Sequence, residues 1–245
     1  MEAAALLTSI ERDGFAVVPD VLDPERVADL TSTIESYCNK RAEVSGRVVH
    51  AIRNLFVEIP EAADVVDSPG VRALVEPVLG PNAFAVRAIY FDKPPGANWK
   101  VAWHQDQTIA VNRRADLPGF GPWSVKDGVQ HVEPPIVILD RMLTVRIHLD
   151  DCGEENGPLR VVPGSHKLGR LAAEHTERLK KTHGESVCTV SSGGAVLIRP
   201  LILHASSESA APTHRRVIHI EFASQALPDE IEWAGPLIPV GHVAG

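Results

Sequence analysis

The sequence is short of cysteine, of positive charge and of long apolar runs. Its three cysteines, Cys38, Cys152 and Cys188, lie far apart and form no Cys-x-x-Cys pair, which argues against a disulfide framework or zinc knuckle and predicts a reducing cytoplasm. A net charge of −8 disfavours nucleic-acid and anionic-membrane partners. No apolar run approaches the roughly 20 residues of a membrane span, and the start, MEAAALLTSIERDGF, is not typical of a signal peptide.

The rest of the composition fits one globular domain with a sizeable core. The chain has 245 residues, 44% of them hydrophobic, and single β-barrel domains commonly reach this length. We expect one domain over 1–245, as a monomer or a homodimer. It would consist of a helical cover over about 1–80, a β-rich core over about 82–224 and a tail over 225–245.

Helix signals are concentrated in the first third of the chain. GFAVVPDVL, from Gly14 to Leu22, predicts a short strand, and Asp23 followed by Pro24 is typical of a helix start. Two further helices are predicted near 54–65 and 70–79. The first helix carries an apolar stripe, which indicates that it packs against the rest of the domain.

From about residue 82 onward, short apolar stretches alternate with Gly, Pro and Asn turns, as in AFAVRAIYF, PLRVVPGSH, AVLIRPLILH and RRVIHIEFA. Several short strands with turn signals between them predict a sandwich or barrel. The segment DLPGFGPWSVKDGVQHVEP, residues 116–134, predicts a long loop of the kind that forms functional lids.

In two predicted strands, LTVRIHLD and HRRVIHIEF, alternate residues form a mostly apolar face and a mostly polar second face. That second face carries Thr144, Arg146, His148 and Asp150 on one strand, and Arg215, Val217, His219 and Glu221 on the other. Two interpretations are open. Either this polar face points to solvent, or the apolar face lies under the N-terminal helices and the polar face lines a cavity.

Possible metal ligands occur at three positions. His104 and Asp106 are two residues apart in VAWHQDQT, so on a strand their side chains point the same way. His204 follows a strongly apolar strand in LILHASSES. Two histidines and one carboxylate form the facial triad of non-haem Fe(II) oxygenases, which leaves coordination positions open for a co-substrate and O₂.

An arginine follows the distal histidine by eleven residues. Arg215 lies on the polar face of its predicted strand, and a guanidinium can bind a carboxylate through two parallel hydrogen bonds. Such a group suits the distal carboxylate of 2-oxoglutarate, whose keto acid end would chelate the iron. The combined spacing is more specific than any one of these residues alone.

These stretches resemble a known family. WHQD, ENGPLRVVPGSHKLG, LILHASSES and HRRVIHIEFA are similar to the motifs of the phytanoyl-CoA dioxygenase family, over roughly Gly14 to Phe222. The resemblance implies a mainly β fold with flanking α-helices, in which a double-stranded β-helix (jelly-roll) barrel is covered on one face by N-terminal helices. It also implies an enzyme that uses Fe(II), 2-oxoglutarate and O₂.

The resemblance further assigns roles by position. It implies that His104, Asp106 and His204 are both the iron ligands and the catalytic residues, and that the co-substrate contacts are Arg215, Ser206 and Thr144. Related halogenases lack the carboxylate, so Asp106 favours hydroxylation of an unactivated C–H bond, with release of succinate and CO₂. Desaturation, epimerisation and cyclisation stay open as alternatives.

On the substrate side the chain departs from the phytanoyl-CoA enzyme, because Arg146 stands where that enzyme carries an aromatic residue. This disfavours a bulky acyl-CoA and favours a small polar or anionic substrate. Candidate substrate contacts are Arg87, Trp99, Gln107, Trp123, Arg146 and His148. Salt bridges of these basic residues to Asp150 or Glu221 are the competing interpretation.

Two other functions remain as alternatives. A zinc hydrolase could use the same three ligands, although no HExxH-like base is present and the spacing to Arg215 would be unexplained. A non-catalytic jelly-roll that binds a small ligand is the third class, which the complete set of site residues disfavours.

Overall fold

Six helices surround the β-structure in the computed structural model, which describes residues 2–94, 99–210 and 213–241. They are α1 (Ala3–Asp13), α2 (Pro24–Ser45), α3 (Leu55–Glu58), α4 (Pro69–Leu79), α5 (Ile136–Leu139) and α6 (Thr176–His183). Short 3-10 segments cover Pro60–Asp67, Glu154–Asn156, Ser165–Leu168 and Ala173–His175. The predicted tail is therefore described only to residue 241.

The first long helix begins as its sequence predicts. The Asp23 carboxylate accepts a hydrogen bond of 2.8 Å from the backbone N–H of Arg26, and Pro24 occupies the first helical position. The helix predicted near 54–65 is wrong as one element. It divides into α3 and the 3-10 segment because Pro60 has no N–H to continue the α-helical bonding.

Within the described residues, fourteen strands form the sheets. They are β1 (Phe15–Val18), β2 (Ala51–Ile52), β3 (Phe84–Lys93), β4 (Val101–His104), β5 (Ile109–Val111), β6 (Trp123–Lys126), β7 (Val129–Val132), β8 (Met142–His148), β9 (Leu159–Val161), β10 (Ser186–Cys188), β11 (Ala195–Ile198), β12 (His204–Ser206), β13 (Arg215–Ala223) and β14 (Ile238–Pro239).

Eleven of these strands pair into a large sheet and a smaller one, with the jelly-roll cavity between them. The major sheet has the order β1-β11-β8-β13-β3-β14, with β2 also paired to β3, and the minor sheet has the order β10-β9-β12-β4. All pairings are antiparallel. Strands β1, β2 and β14 come from the regions predicted as helical cover and tail, so both regions contribute to the major sheet.

The apolar face of the major sheet lies under the N-terminal helices. One buried cluster combines Leu6 and Ile10 of α1, Leu30 and Ile34 of α2, and Leu74 of α4 with Leu143, Val145, Ile147, Ile218, Ile220 and Phe222 of the sheet. The second interpretation of the alternation in β8 and β13 is therefore the one observed. Their apolar residues lie under the N-terminal helices, and their polar residues face the inside of the barrel.

The segment 116–134 is not the loop that its Gly and Pro content predicts. Its second half forms a β-hairpin of β6 and β7, which pairs further with β5 in a three-stranded sheet. The turn is Asp127-Gly128, with positive φ at both residues, and this dipeptide is a strong hairpin signal. Within the described ranges, no helix combines the length and apolar content needed to cross a membrane.

Candidate metal centre and cavity

The minor sheet brings the two predicted histidine ligands side by side. His104 ends β4, His204 begins β12, and the two residues are direct partners in the antiparallel register. Their ring centroids lie 4.2 Å apart. Residues about 100 positions apart in sequence therefore meet because β4 and β12 are neighbouring strands.

Asp106 completes the group. One of its carboxylate oxygens lies 3.7 Å from Nε2 of His104 and the other lies 3.7 Å from Nε2 of His204. The ligand atoms of all three residues lie within 4.8 Å of one another, and among the described residues this is the one group of its kind. The backbone N–H of Asp106 donates to the carbonyl of Pro200 at 2.9 Å, which fixes the chain beside β12.

Each imidazole is held by the backbone carbonyl two residues before it. Nδ1–H of His104 donates to the carbonyl of Ala102 at 2.8 Å, and Nδ1–H of His204 donates to that of Ile202 at 2.9 Å. Because a carbonyl can only accept, Nε2 of each ring carries the free lone pair toward Asp106. Such orientation of a ligand by its other nitrogen is usual in metal sites.

The protonation states also suit a cation. Burial lowers the pKa of His204 to about 4, against the opposing effect of Asp106. Burial raises the pKa of the Asp106 carboxyl, but His204, His219 and His104 lower it more, so the net pKa lies below its ordinary value. At neutral pH the group therefore offers a neutral imidazole at His204 and a carboxylate at Asp106, which are the forms that bind metal ions.

Gln105 points away from this group. Its Nε2 donates to the carbonyls of Gly169 and Leu201 at 2.8 and 2.7 Å, and its Oε1 accepts from the backbone N–H of Leu171 at 2.8 Å. Nε2 of Gln107 also donates to this Oε1, at 3.1 Å. The Gln105 side chain therefore links the segment after β4 to the neighbouring loops through hydrogen bonds.

A cavity of about 530 Å³ lies between the sheets and includes the three candidate ligands. Of the other predicted site residues, those that line it are Arg87, Trp99, Gln107, Thr144, Arg146, Ser206 and Arg215. Trp123 is not among its lining residues; it packs on a separate apolar cluster, with the Arg114 guanidinium 5.9 Å from its ring centroid. His148 does not line the cavity either, and is buried with neither ring nitrogen bonded.

One end of the polar face carries two buried cations. Arg215 and Lys93 are direct partners on β13 and β3. Arg215 donates to the carbonyl of Gly157, and its Nε has no hydrogen-bond partner in the part of the chain that the structure describes. Nζ of Lys93 donates to the carbonyl of Ser207 at 2.9 Å and to Oγ of Ser206 at 3.4 Å. Burial, followed by the charges of Arg215 and Arg146, lowers the pKa of Lys93 to about 8.

Lys93 was missed by the sequence reasoning, although a signal was present. In FAVRAIYFDK, Lys93 is six residues after Arg87, so a period of two places both on one face of β3. Only the pairing of β3 with β13 brings it beside Arg215.

The opposite end of the face is a paired set of charges. Arg87 Nη1 lies 3.3 Å from the Glu221 carboxylate, and the two residues oppose each other in register. Thr144 also opposes Glu221, six residues along β13 from Arg215, or about 20 Å at strand spacing. Asp150 pairs instead with Arg216 on the outer face. The salt-bridge interpretation therefore holds for Arg87 with Glu221.

Comparison with known proteins gives a consistent result. A family model described as phytanoyl-CoA dioxygenase (PhyH) matches residues 10–217. An ectoine dioxygenase from Bordetella parapertussis is 24% identical over 253 residues, which cover 91% of this chain and 75% of the relative. An L-proline trans-4-hydroxylase from Streptomyces griseoviridis is 26% identical over 244 residues, which cover 86% and 82%.

Solved structures share the fold. EctD from S. alaskensis with 2-oxoglutarate and 5-hydroxyectoine superposes with a TM-score of 0.72 at 20% identity, covering 96% of this chain and 80% of that one. AviO1 from Streptomyces viridochromogenes Tue57 gives a TM-score of 0.67 at 26% identity, covering 93% and 97%.

Proposed function

The chain belongs to the phytanoyl-CoA dioxygenase family, and from this premise we propose that it hydroxylates an unactivated C–H bond of a small polar or anionic molecule, with release of succinate and CO₂. It is a 2-oxoglutarate-dependent non-haem iron dioxygenase that uses Fe(II), 2-oxoglutarate and O₂. The substrate and the outcome of oxidation are the proposed parts.

The convergence of His104, Asp106 and His204 on one wall of a cavity that also contains Arg215 carries this proposal. These three residues would hold the iron, because two Nε2 lone pairs and one carboxylate are the donor set that Fe(II) oxygenases use. Bound iron, with the keto acid and O₂, supplies the oxidising chemistry. The protein's own part is to fix the donors, which the Ala102 and Ile202 carbonyls do.

Arg215, Lys93 and Ser206 would bind the distal carboxylate of 2-oxoglutarate. Arg215 has an unpartnered Nε in a buried setting, and a buried donor without a partner is unfavourable until a ligand satisfies it. Lys93 adds a second cation at the same end, and its bond to Ser206 Oγ orients that hydroxyl. We place Thr144 with the substrate instead, because its register position lies far from Arg215.

The substrate would occupy the end of the cavity near Arg87, Trp99, Gln107 and Thr144. A volume of about 530 Å³, shared with the co-substrate, suits a small molecule better than an acyl-CoA. Ectoine and L-proline, which the names of two relatives mention, are small molecules of this kind. The polar lining supports a substrate with charged or hydrogen-bonding groups.

Hydroxylation is the proposed outcome because Asp106 fills the third ligand position of the triad. We also propose that 1–245 acts as one oxygenase domain, since the N-terminal helices and the major sheet share one apolar cluster. Removal of the helical region would expose that cluster and unfold the barrel.

The test is anaerobic addition of Fe(II) and 2-oxoglutarate to the purified protein, followed by O₂ and a substrate screen. The proposal expects a weak visible charge-transfer absorption before O₂ and succinate release after it. Tight retention of zinc with no such absorption would favour a hydrolase instead. The screen should begin with small amino and imino acids and compare succinate release with and without each compound.

A further inference from the structure

Arg146 occupies the middle of the polar face, between the end that carries Arg215 and Lys93 and the end that carries Arg87 and Glu221. On β8 it opposes His219 of β13 on one side and Val196 of β11 on the other. It lines the same cavity as the three candidate metal ligands and Arg215. Sequence reasoning placed it with the substrate, but its position does not by itself distinguish substrate from co-substrate.

His219 fixes the direction of the guanidinium. Nη1 of Arg146 donates to Nδ1 of His219 at 2.7 Å, so Nδ1 must be the acceptor and the ring hydrogen lies on Nε2. That Nε2 is 3.6 Å from a Glu221 oxygen, and the same oxygen lies 3.3 Å from Arg87 Nη1. The ring is thus held at one end by Arg146 and faces a carboxylate at the other.

A second donor of Arg146, its Nε, lacks a partner among the described residues. This Nε is buried, and a buried donor without a partner is unfavourable until a ligand satisfies it. Burial, followed by the charge of Arg215, lowers the pKa of Arg146 to about 10, while Asp106 raises it. Arg146 therefore remains a cation at neutral pH and lies within electrostatic reach of both Asp106 and Arg215.

We propose that Arg146, oriented by His219, binds the carboxylate next to the keto group of 2-oxoglutarate. This rests on the proposed function of the triad and of Arg215. A 2-oxoglutarate molecule held between the triad and Arg215 would have its distal carboxylate at Arg215 and Lys93. Its other carboxylate would lie beside Asp106. The cation there is Arg146, whose hydrogen-bond partner among the described residues is His219.

The assignment changes the expected substrate. If Arg146 is neutralised by the co-substrate, the lining arginines and lysines left for a substrate are Arg87, which Glu221 already neutralises, Arg53, which pairs with Asp127, and exposed Lys126. A substrate held mainly by hydrogen bonds or by a single weak ionic contact then fits better than a strongly anionic one.

The experiment compares two keto acids by anaerobic titration of the Fe(II) protein, followed through the visible charge-transfer absorption. 2-Oxoglutarate has both carboxylates, and 2-oxobutanoate lacks the distal one. Arg146→Met should weaken both by the same factor, about tenfold to a hundredfold, and should shift the absorption maximum. Arg215→Met should weaken only 2-oxoglutarate and leave the maximum in place.

Two sets of controls keep this test decisive. Lys126→Met removes a cation from the same cavity but should leave both affinities unchanged. His219→Leu should show much of the loss of keto-acid affinity that Arg146→Met shows. His219→Gln should regain that affinity, because a glutamine oxygen can also accept a hydrogen bond from the guanidinium. Thermal melts establish folding, and Arg146→Gln, which also removes the charge, replaces Arg146→Met if the latter does not fold.

The failures are distinguishable. If the unsubstituted protein gives no absorption with either keto acid, the proposed function is wrong. If the absorption does form, and Arg146→Met or folded Arg146→Gln binds both keto acids with unchanged affinity and an unchanged maximum, the inference is wrong and Arg146 is left as a candidate substrate contact. Equal affinities for His219→Leu and the unsubstituted protein would remove His219 as a positioning residue.

Discussion

Neighbouring residues of β8 face two very different environments. Val145 and Ile147 are fully buried against the N-terminal helices, whereas Arg146, between them, lines the cavity. The same contrast holds on β13, where Ile218 lies in the apolar cluster and His219 in the cavity wall. One pair of strands therefore carries the core on its outer face and the site on its inner face.

The two faces are stabilised in different ways. The outer face gains from removal of apolar surface from water, at about 25 cal/mol per Å². On the inner face, burial of charge is unfavourable unless it is paired, and the partners are Glu221 for Arg87 and His219 for Arg146. Arg215 contacts the carbonyl of Gly157 and the thiol of Cys152, and Lys93 contacts the oxygens of Ser206 and Ser207 and the ring of Trp99. We therefore expect substitutions on the outer face to change mainly the free energy of unfolding. Substitutions at adjacent positions on the inner face should change mainly binding and turnover.

The largest effect is expected at the metal centre. Asp106→Ala should reduce succinate release at least about a thousandfold, or about 4 kcal/mol, because one of three ligands is lost. The free energy of unfolding should change by less than about 0.5 kcal/mol, since the side chain is partly exposed. Urea unfolding and a succinate assay measure the two quantities. The control Asp116→Ala removes an exposed carboxylate; retained turnover in Asp106→Ala would remove Asp106 from the site.

The converse effect is expected on the outer face. Ile147→Ala should lower the free energy of unfolding by about 2–5 kcal/mol and Ile147→Val by about 0.5–1.5 kcal/mol, because a fully buried side chain is shortened. The affinity of the folded protein for 2-oxoglutarate should not change. A large loss of affinity with little loss of stability would show that the faces are coupled.

Adjacent arginines of β13 provide a matched pair. Arg215→Met should weaken 2-oxoglutarate binding about tenfold to a hundredfold, because a charge-assisted contact is lost. Arg216 points outward and pairs with Asp150 and Glu35, so Arg216→Met should reduce stability by about 1–3 kcal/mol, because Asp150 is largely buried and loses its charged partner, and should leave binding unchanged. Anaerobic titration and thermal melts compare them, and equal binding losses would contradict the assignment of faces.

The smallest effect is a pH dependence from Lys93. Its pKa is lowered from 10.5 to about 8, so between these values the unfolded chain binds more protons than the folded one, and stability should rise with pH. In the same window 2-oxoglutarate affinity should fall by roughly tenfold or less as the ammonium loses its charge. Lys93→Met should abolish both slopes; parallel slopes in that variant would assign them to other groups.

Much of the fold and the candidate site was predictable because its signals are local. The Asp23 cap, the period-two strands and the His-x-Asp pair are each readable within a few residues. The Asp127-Gly128 turn is also a local signal and is typical of a hairpin. The Gly and Pro residues around it led to the prediction of a loop instead. Period two correctly placed His148 on the inner face of β8, yet it cannot tell whether a residue there reaches the cavity.

The sequence by itself determined the donor set, the polar and apolar faces and the family motifs, since each depends on residue type and short spacing. Strand order and register, which depend on contacts between distant segments, were decided only by the tertiary structure. They placed His204 opposite His104, Lys93 opposite Arg215 and Thr144 far from Arg215. The physical reason is that alternation along a strand fixes a side chain's face, whereas its neighbours depend on which strand pairs beside it.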